Sequence, residues 1–196
     1  ESESRGLGDV YKRQILDRDP KIAARLQCDK HVVKMIVESA QMLSTAHRIL
    51  DGYQEKRPSK SGKTMVKYWE LLDEREDIMY KAVHVGHPCT VWTMNNNNNY
   101  IWHYDHFTEL CREYTYRYGK VHATDKLLKK ALVKPPKNIK TGYKYAYTAF
   151  PLAMQHEPQC MMECPVKSYR AYYKTKAARF NMVWTKRETP EWFYDK

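Results

Sequence analysis

A thiol, a carboxylate, an amine and an imidazole occupy four consecutive positions at Cys28, Asp29, Lys30 and His31, with Lys34 one turn on and Glu38 two turns on from His31. Asp29 falls in register with an apolar stripe (Ile22, Leu26, Val33, Ile36, Ala40, Leu43, Leu50), where a carboxylate is costly unless it is paired, protonated or set at a cleft. As a catalytic group it would activate water or stabilise positive charge beside His31. The structural alternative is an acid at the rim or one with a buried Arg or Lys partner. A second cluster, HPCTVW at 87–92, sets His87 on a turn stiffened by Pro88. Here His87 and Trp92 could line a base pocket, Trp92 offering a stacking face. A competing reading makes Cys28, His31, His87 and Cys89 zinc ligands, but the His-x-Cys pair is tighter than the usual ligand spacing, and no metal is expected.

The elements that must position these groups read as helices. Asp19 and Pro20 suit a helix start, and the stripe predicts one helix, kinked near Cys28, to about Leu50. His47 occupies a second place in that stripe. Residues 53–63 read as a polar loop. A second helix fits Met65–Val83 on Val66, Trp69, Leu72, Met79 and Val83. The run Asn95–Asn99 reads as a cap, from Asn98 or Asn99, for a third helix through Tyr100, Tyr104, Phe107, Cys111, Tyr114 and Tyr118, and leaves an Asn99 amide for a ligand. His103 and His106 share a face of it and are set aside as surface or core. KPPKN at 134–138 breaks the chain, the next thirty residues are irregular, and a last helix fits Val166–Phe180. The expectation is an all-α protein, a compact single-domain helical bundle: a helical core over 19–119 and an irregular basic region over 120–196.

Residues 1–14 read as an artefactual leader, because DVYKRQ at 9–14 back-translates to the end of a transposon adapter used in sequencing libraries, which makes 15–196 the domain. No apolar run reaches the roughly 18 residues of a membrane span, and no secretion leader is readable, so a cytoplasmic protein without a membrane partner is expected. Five cysteines in helical text predict reduced thiols.

The net charge is +11, and its distribution says more than its total. Between Lys120 and Arg187 there are fifteen Lys and Arg against three acids, a surplus above that of the whole chain. Interleaved with Tyr143, Tyr145, Tyr147, Tyr169, Tyr172 and Tyr173, such a half suits phosphate binding with base stacking. A solvated lysine face is the bland alternative. Arg117, near the end of the third helix, could meet a phosphate or the helix C-terminus. No Walker loop, nucleotide-binding glycine fingerprint, serine-nucleophile elbow or zinc-protease motif is present, and no cofactor is expected.

LDRDPKIAARLQCDKHVVKMIVESAQML, HPCTVW and HFTELCREYTYRYGK together resemble a group of phage and environmental proteins of mostly unassigned function. Their order, a helix with an acid and basic neighbours, a His-Pro turn with Trp, and a helix ending Glu-x-x-x-Arg-x-Gly, is similar to the pyrimidine-dimer DNA glycosylase superfamily. The resemblance implies a helical fold that binds and bends double-stranded DNA, and a chain whose terminal amine attacks the sugar of an altered pyrimidine while a helix carboxylate assists. By it, Asp29 is the carboxylate, Lys30 and His31 hold phosphates, His87 and Trp92 match the turn, and Glu113 and Arg117 the end of the third helix. With Asp29, His31 and His87 as catalytic candidates, Lys30, Lys34, Glu38, Trp92, Asn99, Glu113 and Arg117 are the candidate DNA contacts. The expected function is a DNA glycosylase or AP lyase. A catalytically silent DNA-binding or host-interaction protein is the alternative, and an enzyme of base hypermodification the weaker one.

Overall fold

The structure, a computed structural model, describes residues 14–144 and 146–195. The expected leader lies outside the described residues except for Gln14, which is buried and whose carbonyl accepts a hydrogen bond from Gln27.

Seven α-helices are present among the described residues: α1 Pro20–Arg25, α2 Asp29–Asp51, α3 Arg75–Ile78, α4 Pro88–Asn95, α5 Asn97–Tyr118, α6 Ala123–Leu132 and α7 Pro165–Thr175. The expectation of an all-α chain is corrected by an antiparallel hairpin of β1 Tyr53–Pro58 and β2 Met65–Glu70. It replaces both the polar loop and the first third of the expected second helix. Tyr68 and Val66 suit a pleated strand better than a helix turn, and Gly62, at a φ of 70°, makes the turn between the strands. The supposed helix stripe is not a buried face: Leu72 is 85% exposed and Met79 is its only fully buried member among the residues named for it. Past β2 the chain forms only the short α3 before running extended to α4.

The first helix is interrupted rather than kinked. Asp19 caps α1 by accepting from the amides of Lys21 and Ile22, the helix ends at Arg25, and α2 restarts at Asp29 with Cys28 as its cap residue. Ile22 of α1 and Val33 of α2 are exposed, while Ile36, Ala40 and Leu43 further along α2 are fully buried.

Two cores flank α5. On one side α2, α5 and α6 enclose Val32, Ile36, Leu43, Tyr100, Phe107, Leu110, Leu128 and Leu132. On the other, α4, the start of the described chain and the C-terminal region enclose an aromatic core of Ile15, Leu16, Trp92, Trp102, Phe150, Tyr169, Tyr173 and Trp184. The irregular region at 139–164 thus contributes Phe150, Met154 and Cys160 to this core.

The far end of α2 is closed by Arg48, fully buried, whose guanidinium donates to the carbonyls of Trp69, Glu76, Met79 and Tyr80 and to the Glu76 carboxylate. Where α2 passes into β1, a Cβ on Gly52 would lie 2.5 Å from the Arg48 carbonyl oxygen and 2.7 Å from that of Glu70, so only glycine lets the hairpin return so close to the helix.

Candidate functional site

The break between α1 and α2 sets the site. A C-terminal strap over 183–187 crosses it: the Trp184 indole N–H donates to the Leu26 carbonyl, and the Asp29 amide donates to the Val183 carbonyl at 2.8 Å. Asp29, the first residue of α2, then has both carboxylate oxygens taken. Oδ1 accepts from Arg117 Nη1 at 2.8 Å and from the Thr185 amide at 3.0 Å, and Oδ2 accepts from the Thr185 hydroxyl at 2.5 Å. Of the two sequence readings for Asp29, a buried arginine partner is the one the geometry displays.

Arg117 is fully buried and spans the junction. Besides Asp29 it reaches Glu113 Oε1 at 2.8 Å, one helical turn back, and the Arg25 carbonyl at 3.0 Å, which closes the last turn of α1. Glu113 receives a second, bidentate arginine, Arg187 of the strap, at 2.9 Å to each oxygen. Burial alone would raise the Glu113 pKa, but the Arg187 and Arg117 guanidinium groups hold it below the usual carboxylate range. The structure thus brings together three sequence-expected residues, Asp29, Glu113 and Arg117. It adds two that sequence reasoning missed, Thr185 and Arg187. Glu109, Glu113 and Arg117 at steps of four were the available signal for an ionic ladder on α5.

This quartet of two carboxylates and two guanidiniums, Glu113 and Arg117 buried and Asp29 and Arg187 half-buried, is neutral. Outside it lies a cleft of about 240 Å3, lined by Lys21, Arg25, Glu109, Arg112, Glu113, Tyr116 and Arg187. Arg112 pairs with Glu109, and Arg187 lies 4.2 Å from the centre of the Tyr116 ring. Lys21 and Arg25 carry charge that no acid in the cleft offsets.

His31 lies one turn into α2, fully buried, and serves another network. The Cys28 amide donates to the Tyr173 oxygen at 2.8 Å, and the Tyr173 hydroxyl and His31 Nδ1 share a hydrogen bond at 2.7 Å. Burial first, then Lys176, Lys34 and Lys30, lowers the His31 pKa to about 3, and the ring is neutral near pH 7. Lys30 turns outward and lies over the Phe180 ring at 4.6 Å. Lys34 and Glu38 are half-buried on the face of α2 that carries His31. Among the described residues Asp29 makes no hydrogen bond to His31 or His87.

The HPCTVW cluster starts α4: His87 Nδ1 accepts from the Cys89 amide at 3.1 Å, and Pro88 takes the first helical position. Trp92 lies in the aromatic core, 5% exposed, its indole N–H donating to the Ala149 and Thr148 carbonyls, so it is packed rather than laid open for a base. Asn96, not Asn98 or Asn99, caps α5. Asn99 is fully buried: its amide donates to the Trp92 carbonyl and the Thr148 hydroxyl and accepts from the Thr148 amide. The asparagine run moors the irregular region, and a Cβ on Gly142 would lie 2.5 Å from Asn98 Nδ2. His103 and His106 are both buried, His103 against Thr93 and His106 stacked on Trp102.

The zinc alternative does not assemble: among the described residues no three His, Cys, Asp or Glu side chains converge as a metal would need, and all five cysteines are free thiols. Of the tyrosines expected to stack on bases, Tyr169, Tyr172 and Tyr173 are core residues, Tyr147 stacks on Phe150, Tyr143 is exposed, and Tyr145 lies outside the described residues. No described helix is long and apolar enough to cross a membrane. The chain matches no protein-family model, no curated protein and no solved structure.

Proposed function

We propose that this chain binds double-stranded DNA and acts as a glycosylase or AP lyase on a damaged or modified pyrimidine, with the α1–α2 junction at its DNA-facing surface. One observation carries the reading: beside a charge-neutral quartet, the cleft wall carries Lys21 and Arg25 in excess of its acids, next to the Tyr116 ring and to Arg187, whose guanidinium Glu113 holds in place. A phosphate supplies the anion that this wall lacks, and guanidinium groups held by buried carboxylates are pre-ordered for it. Asp29 and Glu113 support Arg117 and Arg187 here, and Asp29 reaches a reacting sugar only by exchanging its Thr185 bonds. The chain needs no cofactor in this reading.

A specific observation favours a second reading, a DNA-binding protein without catalysis: three donors occupy the Asp29 carboxylate. Duplexes carrying an abasic site or ultraviolet damage, incubated with the protein and borohydride, separate the two. A covalent adduct, lost in Asp29→Asn, is expected for the lyase. Salt-dependent binding without an adduct leaves the silent binder, and no affinity for duplex DNA at low salt overturns both.

A further inference from the structure

The hairpin was absent from the sequence expectations, and its register distributes charge unevenly between its faces. Residues alternate across a strand, so Tyr53, Glu55 and Arg57 of β1 share a face with Val66, Tyr68 and Glu70 of β2. On that face Arg57 bonds Glu55 and Glu70 and lies over Tyr68 at 5.7 Å, and Lys81 from beyond the hairpin also pairs with Glu70. The opposite face pairs Gln54 with Trp69, Lys56 with Lys67, and Pro58 with Met65. Lys56 and Lys67 stand directly opposite each other, and neither makes an ion pair among the described residues.

Like charges directly opposite on a strand pair destabilise it. A two-stranded ribbon is marginal on its own, so a repulsive pair at its middle runs against folding. The turn adds Lys60 and Lys63, both exposed, beside Met65 at 63% exposed. The ribbon is anchored at its base alone, where Arg48 takes the Trp69 carbonyl and Gly52 admits the return of β2. Four lysines on one face and tip of an outstanding ribbon, with the acids confined to the other face, form a surface that a polyanion completes.

We infer that the 53–70 hairpin is a second DNA-contacting element, which lays its Lys56, Lys67, Lys60 and Lys63 side against the phosphates flanking a groove. A two-stranded ribbon fits the major groove of duplex DNA, and lysine contacts to phosphates bind without fixing sequence. This inference rests on the reading of the chain as a DNA-binding protein and extends its footprint beyond the α1–α2 cleft.

Binding of the full chain to a 20-base-pair random-sequence duplex, titrated with salt, tests it. In Lys56→Gln/Lys67→Gln the slope of log K against log salt should flatten by about two, at roughly 0.9 per phosphate contact released. The same variant without DNA should melt no lower than the parent, since a repulsion has been removed. Lys60→Gln/Lys63→Gln should flatten the slope further. An unchanged slope in these variants, with parent binding intact, overturns the hairpin's role while leaving DNA binding in place. A parent that does not bind duplex DNA overturns the underlying reading and the inference with it. Hairpin-dependent binding to vesicles of anionic lipid, stronger than to the duplex, also overturns it, because the ribbon then serves a membrane surface.

Discussion

Each end of α2 has a fully buried guanidinium, Arg48 of the helix itself at one and Arg117 of α5 at the other, and a buried neutral histidine, and the two ends put them to different use. At the C-terminal end Arg48 spends four of its five hydrogen bonds on backbone carbonyls and one on Glu76, so that its charge organises a loop. At the N-terminal end Arg117 bonds Asp29 and Glu113 and shares Glu113 with Arg187, and the network runs out to a cleft where cations outnumber acids. A buried arginine alone does not mark a functional site. The end at which the ionic chain continues to the surface, with charge left over, is the end we propose as the binding site.

The contrast breaks if Arg48 proves dispensable. Arg48→Met should cost about 3–5 kcal/mol, since it strips four carbonyls of a donor and leaves Glu76 with fewer partners in a buried loop, and the shift of the urea midpoint measures it. A cost below about 1 kcal/mol would mean that water replaces the guanidinium. Arg117→Met should cost about 3 kcal/mol, and Asp29→Asn in the same chain should recover at least about 1 kcal/mol of that in a double-mutant cycle. Perfect additivity there would dissolve the junction network as a unit.

The histidines sharpen the comparison by pH. Burial and then Arg75 lower the His47 pKa to about 4, as burial and lysines lower His31 to about 3, from an ordinary 6.5. Below pH 6.5 the unfolded chain binds protons that the native rings refuse, so stability is full above 6.5 and falls as pH drops, to about 4 for His47 and about 3 for His31. The loss is about 2 kcal/mol per ring by pH 5. Melting followed from pH 7 to 4 checks it, and His47→Gln should roughly halve the slope in that range. The smallest effect separates binding from stability: Arg187→Ala should cost only about 1 kcal/mol in urea yet flatten the DNA salt slope by about one. The reverse pattern would make the strap a purely structural clamp.

Some of the punctuation was legible in the sequence, though the cap of α5 fell at Asn96 and not at Asn98 or Asn99. Asp19 followed by Pro20, the end of α5 at Gly119 and the KPPKN break all act locally, through caps and fixed φ, and they stand where local chemistry puts them. The hairpin was not, because Val66, Trp69 and Leu72 fit a helical spacing as readily as a strand, and pairing with β1 is a nonlocal decision. At the site, Asp29, Glu113 and Arg117 were readable as types worth watching. Thr185 and Arg187 were not, since nothing near them in the chain shows that they fold back onto α2. Trp92 and Asn99 were read as ligand groups because aromatic and amide side chains serve ligands and cores alike. Packing of the irregular region against α4 and α5 decided for the core.

The strap has a consequence for how the protein is made. Thr185 meets Asp29 across 156 positions of chain, and Trp184 meets Leu26 across 158. Arg170 likewise holds the Leu16 carbonyl and the Asp17 carboxylate. During synthesis the α1–α2 junction therefore leaves the ribosome long before the segment that closes it, and contacts of such sequence separation form slowly. Helices α2, α5 and α6 can pack around their own core first, so the α1–α2 corner is the last part of this molecule to become native, and a chain stopped short of residue 183 would be left with its helices and an open corner.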